Sequence, residues 1–220
     1  MVFLFLFIIS NNKSPQNNPS NIVVEYSTIK NDLYYELFNE FRHDLNTWNA
    51  HLDPQTLTLS FNEPDILFKK GQDRIKPLFK DILNDFFPRY IKILSNKKFK
   101  DNILEVRIEG HTSSEWNKSS TNKDAYILNM DLSQKRTSAV LKYILSMNKI
   151  KDYVWMRNHL ISVGYSSSKT RYSLLGIEDK AASRRVEFRV VTDAESKLYD
   201  LINMANFSNI NKEENNIQSN

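Results

Sequence analysis

The residue types that most often carry chemistry are scarce in this sequence and poorly spaced for catalysis or metal binding. The chain has no cysteine, which excludes thiolate nucleophiles, disulfides and thiolate metal sites. Its four histidines, at positions 43, 51, 111 and 159, form neither an i, i+4 pair nor an H-E-x-x-H motif, so we expect no metal site and no cofactor. Walker, G-x-S-x-G and G-x-G-x-x-G motifs are also missing, and no acid and base stand at a catalytic spacing. An enzyme is therefore the least favoured function.

One stretch does combine polar and charged groups in a pattern typical of a binding site. Residues 108–136 read IEGHTSSEWNKSSTNKDAYILNMDLSQKR: the end of an alternating segment, a long polar loop and the start of a helical segment. The chain has only four glycines and places Gly110 directly before a His-Thr pair. Arg136 is expected in the first turn of the following helix. Structural explanations stay open, because the glycine can end a strand and Arg136 can pair with an acid such as Glu109.

Hydrophobic periodicity predicts the helices that position these residues. Apolar side chains spaced by three or four positions indicate helices at 24–49, 75–90, 132–146 and 193–206. Asp131 and Gln134 form a plausible capping box for the third of these helices. Pro77 near the start of the second helix is tolerated there, whereas Pro88 should kink or end it.

Alternating segments predict the strands, which lie at 56–61, 103–109, 161–165 and 184–191. Strands separated by helices long enough to cross over favour right-handed βαβ units, so part of the sheet should be parallel. We therefore expect an α/β fold: a two-layer sandwich of βαβαββ type, with a mixed sheet, helices on one face and an additional N-terminal amphipathic helix.

The two ends of the chain differ in composition from its centre. Residues 1–10 carry no charge and precede a run rich in Asn, Ser and Pro. As a helix they reach about 15 Å, half of a bilayer core. We expect the end of a transmembrane helix that starts upstream; the alternatives are an atypical signal sequence and an apolar arm packed elsewhere. The expected organisation is an apolar stub and polar linker at 1–22, an amphipathic helix at 23–52, the main domain at 53–195, and a C-terminal helix with a disordered tail at 196–220.

The charge distribution argues against a nucleic-acid partner. The chain carries 30 basic and 26 acidic residues, for a net charge of +4, and the two signs are mixed along its length. The densest basic run, at 97–100, lies at a predicted turn between a helix and a strand. A solvated turn explains this run better than a nucleic-acid interface does.

Several short motifs occur in order between residues 55 and 192. They are PDILFKKGQDRIKP, then I-E-G-H-T, then N-x-x-L-S-x-x-R ending at Arg136, then ISVGY, and finally S-R-R-V-E-F. This ordered set resembles the peptidoglycan-associating domain shared by OmpA and the flagellar stator protein MotB. The resemblance implies an OmpA-like fold, which agrees with the βαβαβ order predicted from periodicity. It also implies a non-enzymatic module that binds peptidoglycan and anchors a membrane protein assembly to the cell wall.

The same resemblance assigns residues to a ligand site. It implies that Arg136 grips the free amino-acid end of diaminopimelate in a peptide stem, because a planar guanidinium can bind a carboxylate bidentately. Free N–H groups at the start of the predicted 132–146 helix would face the same anion. The candidate ligand-binding residues are Thr112, Ser113, Glu115, Asn129, Arg136 and Arg185.

The chain departs from the family pattern within this site. The family has an aspartate after the threonine, whereas this chain has Ser113, so the counter-ion expected for the ligand's ammonium group is missing. Glu115 is a candidate replacement. Ser183 stands where the family has an asparagine, and the loop before the N-x-x-L-S motif is long. Either the ligand differs, or each stem is bound weakly and many copies act together.

The layout of an apolar N-terminus, a helix and then this domain resembles that of stator subunits. The expected partners are accordingly peptidoglycan, a second copy of the chain in a homodimer, and a channel-forming membrane protein. We expect a periplasmic domain anchored in the inner membrane, with an outer-membrane-linked wall binder as the alternative. A second function stays open: a protein-interaction module of the same fold that no longer binds peptidoglycan, with the helix at 24–51 as its contact.

Overall fold

The computed structural model describes residues 19–62, 67–148 and 153–193, with side chains described from residue 28 onwards. The predicted apolar stub at 1–10 and the predicted C-terminal segment at 196–220 lie outside these ranges. None of the helices described within them is both long and apolar enough to cross a membrane. The chain divides into two compact units, of which residues 34–191 form the larger. The sheet and the candidate site belong to this larger unit.

Helices and strands follow one another in the predicted βαβαββ order, with additional short elements. The elements are α1 (Pro19–Phe41), β1 (Ala50–Asp53), β2 (Thr58–Asn62), α2 (Pro77–Leu94), β3 (Ile103–His111), α3 (Asn122–Leu145), α4 (Tyr153–His159), β4 (Leu160–Gly164), α5 (Lys180–Ser183) and β5 (Arg185–Thr192). The five strands lie in the order β1-β2-β5-β3-β4. β2 pairs antiparallel with β1 and β5, whereas β3 and β4 are parallel. The predicted mixed sheet is confirmed.

The two long helices of the domain cover the sheet side by side. α2 packs on β2 and β5 through aromatic rings, with the Phe86 and Phe188 centroids 5.0 Å apart. α3 lies against β3 and β4, and the Tyr143 hydroxyl of α3 donates a hydrogen bond to Asn84 of α2 at 3.0 Å. Helices that contact each other while packing on the same sheet form one layer, as the predicted two-layer sandwich requires.

The first predicted helix is too long at its C-terminal end. α1 ends at Phe41, and residues 50–53, which the predicted 23–52 helix included, form strand β1 instead. Asn49 adopts a positive φ of 47°, which reverses the chain between the turns after α1 and the strand. Trp48 nevertheless packs against Phe41, with ring centroids 6.0 Å apart. Trp48 is apolar and buried, and its position continues the helical spacing of apolar residues, although its backbone is not in a regular helix.

Pro88 does not end the second helix. α2 begins with Pro77 at its N-terminus, as predicted, and continues past Pro88 to Leu94. Beyond the proline, Tyr90, Ile91 and Leu94 are buried. Burial of a large apolar side chain contributes about 1.5–3 kcal/mol, so these residues together outweigh the cost of one interrupted hydrogen bond.

The third helix begins ten positions earlier than predicted. α3 starts at Asn122, and Thr121 caps it by accepting a hydrogen bond from the Asp124 N–H at 3.2 Å. The predicted capping box at Asp131 is therefore wrong, because Asp131 lies in the interior of α3. The first turns were missed because apolar side chains at 126–128 are exposed, which hides the amphipathic pattern on which the prediction depends.

Candidate ligand-binding cleft

A pair of glycines brings α3 unusually close to the sheet. Gly110 of β3 and Gly164 of β4 are register partners. A Cβ atom on Gly110 would lie 2.7 Å from Cγ2 of Thr137 and 2.9 Å from the carbonyl oxygen of Ser133. A Cβ atom on Gly164 would lie 2.7 Å from Oγ of Ser133. Side chains at these two positions would push the helix away, so the glycines set the height of α3 above the strand ends.

Ser133 then locks this contact with hydrogen bonds. Its hydroxyl accepts a hydrogen bond from the Ser166 N–H, at 3.1 Å, and donates one to the carbonyl oxygen of Met130, at 2.9 Å. One turn before Ser133, Nδ2 of Asn129 donates to the carbonyl oxygens of Ser113 and Glu115, at 3.1 and 3.2 Å. Asn129 therefore holds the loop that follows β3, and its side-chain nitrogen is occupied by backbone carbonyls.

The loop and α3 border an open cleft of about 230 Å³. The cleft receives residues from the segment before α2, from the loop after β3, from α3 and from the position between α5 and β5. Its lining comprises Phe68, Lys70, Gly71, Thr112, Ser113, Glu115, Trp116, Asn129, Leu132, Arg136 and Arg184. Cationic and hydroxyl groups thus converge on a partly apolar surface, an arrangement suited to a small charged ligand.

Arg136 is the most unusual group in the cleft. It is only 8% exposed, and its guanidinium lies 4.9 Å from the centre of the Phe68 ring. Its Nε donates to the carbonyl oxygen of Gln72 at 2.9 Å, and Nη2 donates to that of Lys69 at 3.3 Å. Burial, together with the charge of Arg184, lowers the pKa of Arg136 to about 10, which still leaves it charged at neutral pH. Among the residues that the structure describes, no carboxylate forms an ion pair with it.

Glu115 is held at the rim of the cleft by basic residues. Its carboxylate accepts a hydrogen bond from Nζ of Lys180 at 2.6 Å and lies 3.8 Å from Nη1 of Arg184. The hydrogen bond from Lys180 lowers the pKa of Glu115. The loop is also tied down beside it, because the Ser114 N–H donates to the Glu178 carboxylate at 2.9 Å.

Arg185 lies outside the lining of this cleft, in a buried cluster of charges. It is 6% exposed, and its Nε donates to Oε1 of Glu187 at 2.7 Å. The same oxygen accepts hydrogen bonds from Ser60 at 2.8 Å and from Arg171 at 2.9 Å. Burial alone would raise the pKa of Glu187, but the adjacent imidazole of His111, with Nε2 3.1 Å from Oε2, and the charge of Arg185 outweigh it and hold that pKa well below its usual range.

The same cluster contains three groups of types that can bind metals. One ligand atom each from Glu109, His111 and Glu187 can be chosen so that all lie within 4.8 Å of one another. Nε2 of His111 is 3.1 Å from Glu187 and 3.8 Å from Glu109. Two guanidiniums, those of Arg171 and Arg185, already pair with Glu187, and a divalent cation there would meet their repulsion. This balance favours an internal ion-pair cluster, and the expectation of no metal site stays a prediction.

Comparison with known proteins identifies the family. The sequence profile of the OmpA family matches residues 67–184. The chain belongs to the OmpA family. It is 43% identical over 206 residues to Zorya protein ZorB of Escherichia coli (strain Crooks), an alignment that covers 92% of this chain and 86% of that relative. A MotB-like protein from Desulfovibrio vulgaris has a similar structure, with a TM-score of 0.51 at 20% identity, over 74% of this chain and 93% of the other. The structural likeness supports the fold.

In this OmpA-family domain, most of the predicted site residues meet in one place. Thr112, Ser113, Glu115, Asn129 and Arg136 all line the cleft, whereas Arg185 does not. The predicted helix N-terminus is also missing from the site, since α3 begins well before residue 132.

Arg184, which lines the cleft in place of its neighbour, was not among the predicted site residues. Alternation along β5 could have found it. Arg184 has the same parity as Val186 and Phe188, which face the helices, whereas Arg185 has the parity of Glu187 on the opposite side. Lys70, Phe68 and Trp116 were also missed, because the segments that carry them have no regular periodicity.

Proposed function

We propose that this protein is a non-enzymatic peptidoglycan-binding module that anchors a membrane protein assembly to the cell wall. Membership of the OmpA family supports the wall-binding function. Four of the five ordered motifs that resemble OmpA and MotB contribute residues to one cleft, and those residues include types that bind a small anion. The ligand that we propose is a carboxylate of the wall's peptide stems, such as that of diaminopimelate.

The observation that carries this proposal is the state of Arg136. A buried guanidinium is normally paired with an acid, because removing a charge from water is costly. Arg136 instead donates to two backbone carbonyls beside an open cleft. Its remaining N–H groups are available to a carboxylate, and each charge-assisted hydrogen bond to such a ligand contributes about 1.5–3 kcal/mol. The cost of burying this charge is explained when the partner is a ligand.

Anchoring by such a cleft depends on many copies acting together. One or two charge-assisted hydrogen bonds give a weak complex with a single stem, since association also costs translational and rotational freedom. Sacculi present stems at high local density, so a protein held at the membrane in several copies gains effective concentration. Weak individual contacts are thus compatible with a firm and exchangeable anchor.

The proposal extends to location and partners. We place the domain in the periplasm, anchored in the inner membrane as part of a stator-like assembly with a channel-forming protein, as the likeness to MotB-like proteins supports. We also propose a homodimer. The exposed aromatic side chains Tyr35 and Phe38 on α1 are a candidate contact between copies, and sedimentation equilibrium of the purified chain measures whether two copies associate.

Co-sedimentation of the full chain with purified sacculi tests wall binding. We expect the wild type to pellet with sacculi and Arg136→Ala to bind about 10- to 150-fold more weakly, which corresponds to the loss of one charge-assisted hydrogen bond. Arg136→Lys keeps the charge and loses the planar fork, so it should bind with intermediate affinity.

Lys135→Ala is the matched control. Lys135 neighbours Arg136 on α3 and carries the same charge, but it is exposed and pairs with Asp131 at 2.7 Å, away from the cleft lining. Its loss should leave binding within about twofold of wild type, as expected for exposed charges. Equal losses for both variants would indicate general attraction to an anionic mesh. If the wild type does not pellet at all, the protein is an interaction module that has lost wall binding.

A further inference from the structure

The charges that line the cleft are unbalanced. Three cationic side chains face it, those of Lys70, Arg136 and Arg184, against the single carboxylate of Glu115. A zwitterionic ligand, such as a free amino-acid end, presents an ammonium group beside its carboxylate. Recognition of that ammonium requires an acceptor in the cleft that is not already used by the protein.

The one carboxylate of the lining is already used. Glu115 accepts a short hydrogen bond from Lys180, at 2.6 Å, and its other oxygen lies 3.8 Å from Arg184. Both partners belong to the segment around α5, so they fix Glu115 to the rim. The loop backbone is equally committed, since the carbonyl oxygens of Ser113 and Glu115 accept from Nδ2 of Asn129.

The cationic group Arg136 is less committed to partners within the protein than the carboxylate of Glu115 is. Arg136 makes no ion pair with a described carboxylate, and the exposed Asp73 acts on it only at longer range. Oγ1 of Thr112 is buried in the lining and has no hydrogen-bond partner among the described residues. A buried hydroxyl without a partner is costly, and a ligand oxygen would satisfy it. Mutual repulsion between Arg136 and Arg184 would also be relieved by an anion between them.

We propose that the cleft recognises a carboxylate that has no free ammonium group beside it, the chemistry of a peptide end whose amines are acylated. Arg136, Arg184 and the Thr112 hydroxyl are the donors for this carboxylate. An ammonium group next to it meets two guanidiniums and no available acid, so it weakens binding. Ser113 is the position that sets this preference, because it lines the cleft with a neutral hydroxyl. This inference rests on the proposed wall-binding function.

Chemically modified sacculi show whether binding depends on the carboxylate of the ligand, on its ammonium group, or on both. Acetic anhydride acylates free amines and leaves carboxylates intact, whereas carbodiimide with ammonia converts carboxylates to amides. We expect the full chain to bind acetylated sacculi at least as tightly as native sacculi, and up to about fivefold more tightly, from the loss of an exposed like-charge contact. Amidated sacculi should bind at least about tenfold more weakly, since the ligand charge is gone.

Two aspartate variants control for the bulk charge of the sacculi. Ser113→Asp places an acid in the cleft and should reverse the preference, so that native sacculi bind more tightly than acetylated ones. Asn117→Asp adds the same charge to the same loop outside the lining and can keep the hydrogen bonds that the Asn117 side-chain oxygen accepts from Ser119 and Ser120. It should retain the wild-type preference.

The outcomes distinguish this inference from the function on which it rests. If wild type binds native sacculi and loses tenfold or more on acetylation, the ammonium group is recognised and the inference is overturned, while wall binding stands. The inference is also overturned if Ser113→Asp and Asn117→Asp show the same preference. If wild type binds none of the three preparations, the proposed function itself fails.

Discussion

Two buried arginines of this domain have similar exposure and opposite surroundings. Arg136 and Arg185 are 8% and 6% exposed. Arg185 forms an ion pair with Glu187 at 2.7 Å and donates to the carbonyl oxygens of Lys169 and Ser183. Arg136 donates to carbonyl oxygens alone and borders an open cleft. Burial lowers the pKa of both guanidiniums, but only at Arg185 does a bonded carboxylate oppose it.

This difference distinguishes a buried charge that stabilises the fold from a buried charge that is positioned to bind a ligand. At Arg185 the partners are all internal, so the charge is neutralised as soon as the chain folds. At Arg136 the neutralising partner is missing from the described part of the chain. Adjacent arginines belong to the two sites: Arg184 lines the cleft, whereas Arg185 belongs to the buried cluster around Glu187. A sequence motif that contains both arginines does not distinguish these two roles.

The largest effect is expected from breaking the internal pair. Arg185→Met should lower the free energy of unfolding by about 3–5 kcal/mol, because it leaves the Glu187 carboxylate buried with fewer partners. Arg136→Met removes a guanidinium of similar burial but should change stability by less than about 1 kcal/mol, since lost hydrogen bonds are offset by relief of an unpaired buried charge. Urea denaturation followed by circular dichroism measures both. Equal losses would remove the distinction between the two arginines.

A smaller effect is expected where α3 meets the sheet. Gly164→Ala places a methyl group 2.7 Å from the Ser133 hydroxyl and the Gln134 nitrogen. Overpacking of this kind costs about 1–3 kcal/mol. Because the displaced helix carries Arg136, sacculus binding should fall even at temperatures where the variant is fully folded. Gly176→Ala is the comparison, since Gly176 lies outside the cleft lining, nothing lies within 4 Å of its added carbon, and its strain comes only from a φ of +72°. Unchanged binding by Gly164→Ala would show that the position of α3 does not control the cleft.

The pH dependence of stability sharpens the comparison further. The pKa of Glu187 is lowered in the folded protein. The ionised carboxylate therefore adds to the free energy of unfolding at pH values above 4.5, the ordinary pKa of a glutamate, and this stabilisation is lost as the pH falls towards the lowered pKa. One such group changes stability by at most about 1.4 kcal/mol per pH unit. Glu187→Gln should therefore be less stable than wild type at pH 6, and the difference should narrow below about pH 4.5. Urea midpoints measured from pH 6 to pH 3 test this, and a constant difference would contradict it.

The smallest effect is expected at the cap of α3. Thr121→Ala removes the hydrogen bond to the Asp124 N–H and should cost about 1 kcal/mol. Thr121 lies outside both the cleft lining and the Glu187 cluster, so binding to sacculi should be unchanged. Thr121→Ser, which retains the cap, is the control. A loss of binding in Thr121→Ala alone would mean that fraying at this end of α3 reaches the cleft.

The sequence was sufficient to predict four of the five described strands and to name five of the residues that line the cleft. Alternation located four strands because each buries one face, and the predicted segment at 103–109 closely matches β3, which runs from Ile103 to His111. β1 was missed, because its four residues follow a turn whose apolar side chains keep helical spacing. The start of α3 was missed because Tyr126, Ile127 and Leu128 are apolar but exposed, so the sequence there shows no amphipathic pattern.

Ion pairs between residues that are distant in sequence were harder to predict than helices and strands. The motifs indicated Thr112, Asn129 and Arg136 as members of one site, but no local pattern shows that Lys180 will hold Glu115 or that Arg171 will pair with Glu187. These pairings depend on the loops around α5, which have no periodicity. Chain topology therefore positions the site, whereas the identity of each charge's partner appears only in three dimensions.

The close contact at Gly110 and Gly164 has a mechanical consequence. Traction applied at Arg136 passes into α3 and then, at Ser133, directly into the ends of two parallel strands, with little flexible side chain between them. Such a joint is stiff. A grip of a few charge-assisted hydrogen bonds, each worth about 1.5–3 kcal/mol, is weaker than a folded domain stable by about 5–15 kcal/mol. Under strain, each contact with the mesh should release and re-form before the anchor itself deforms.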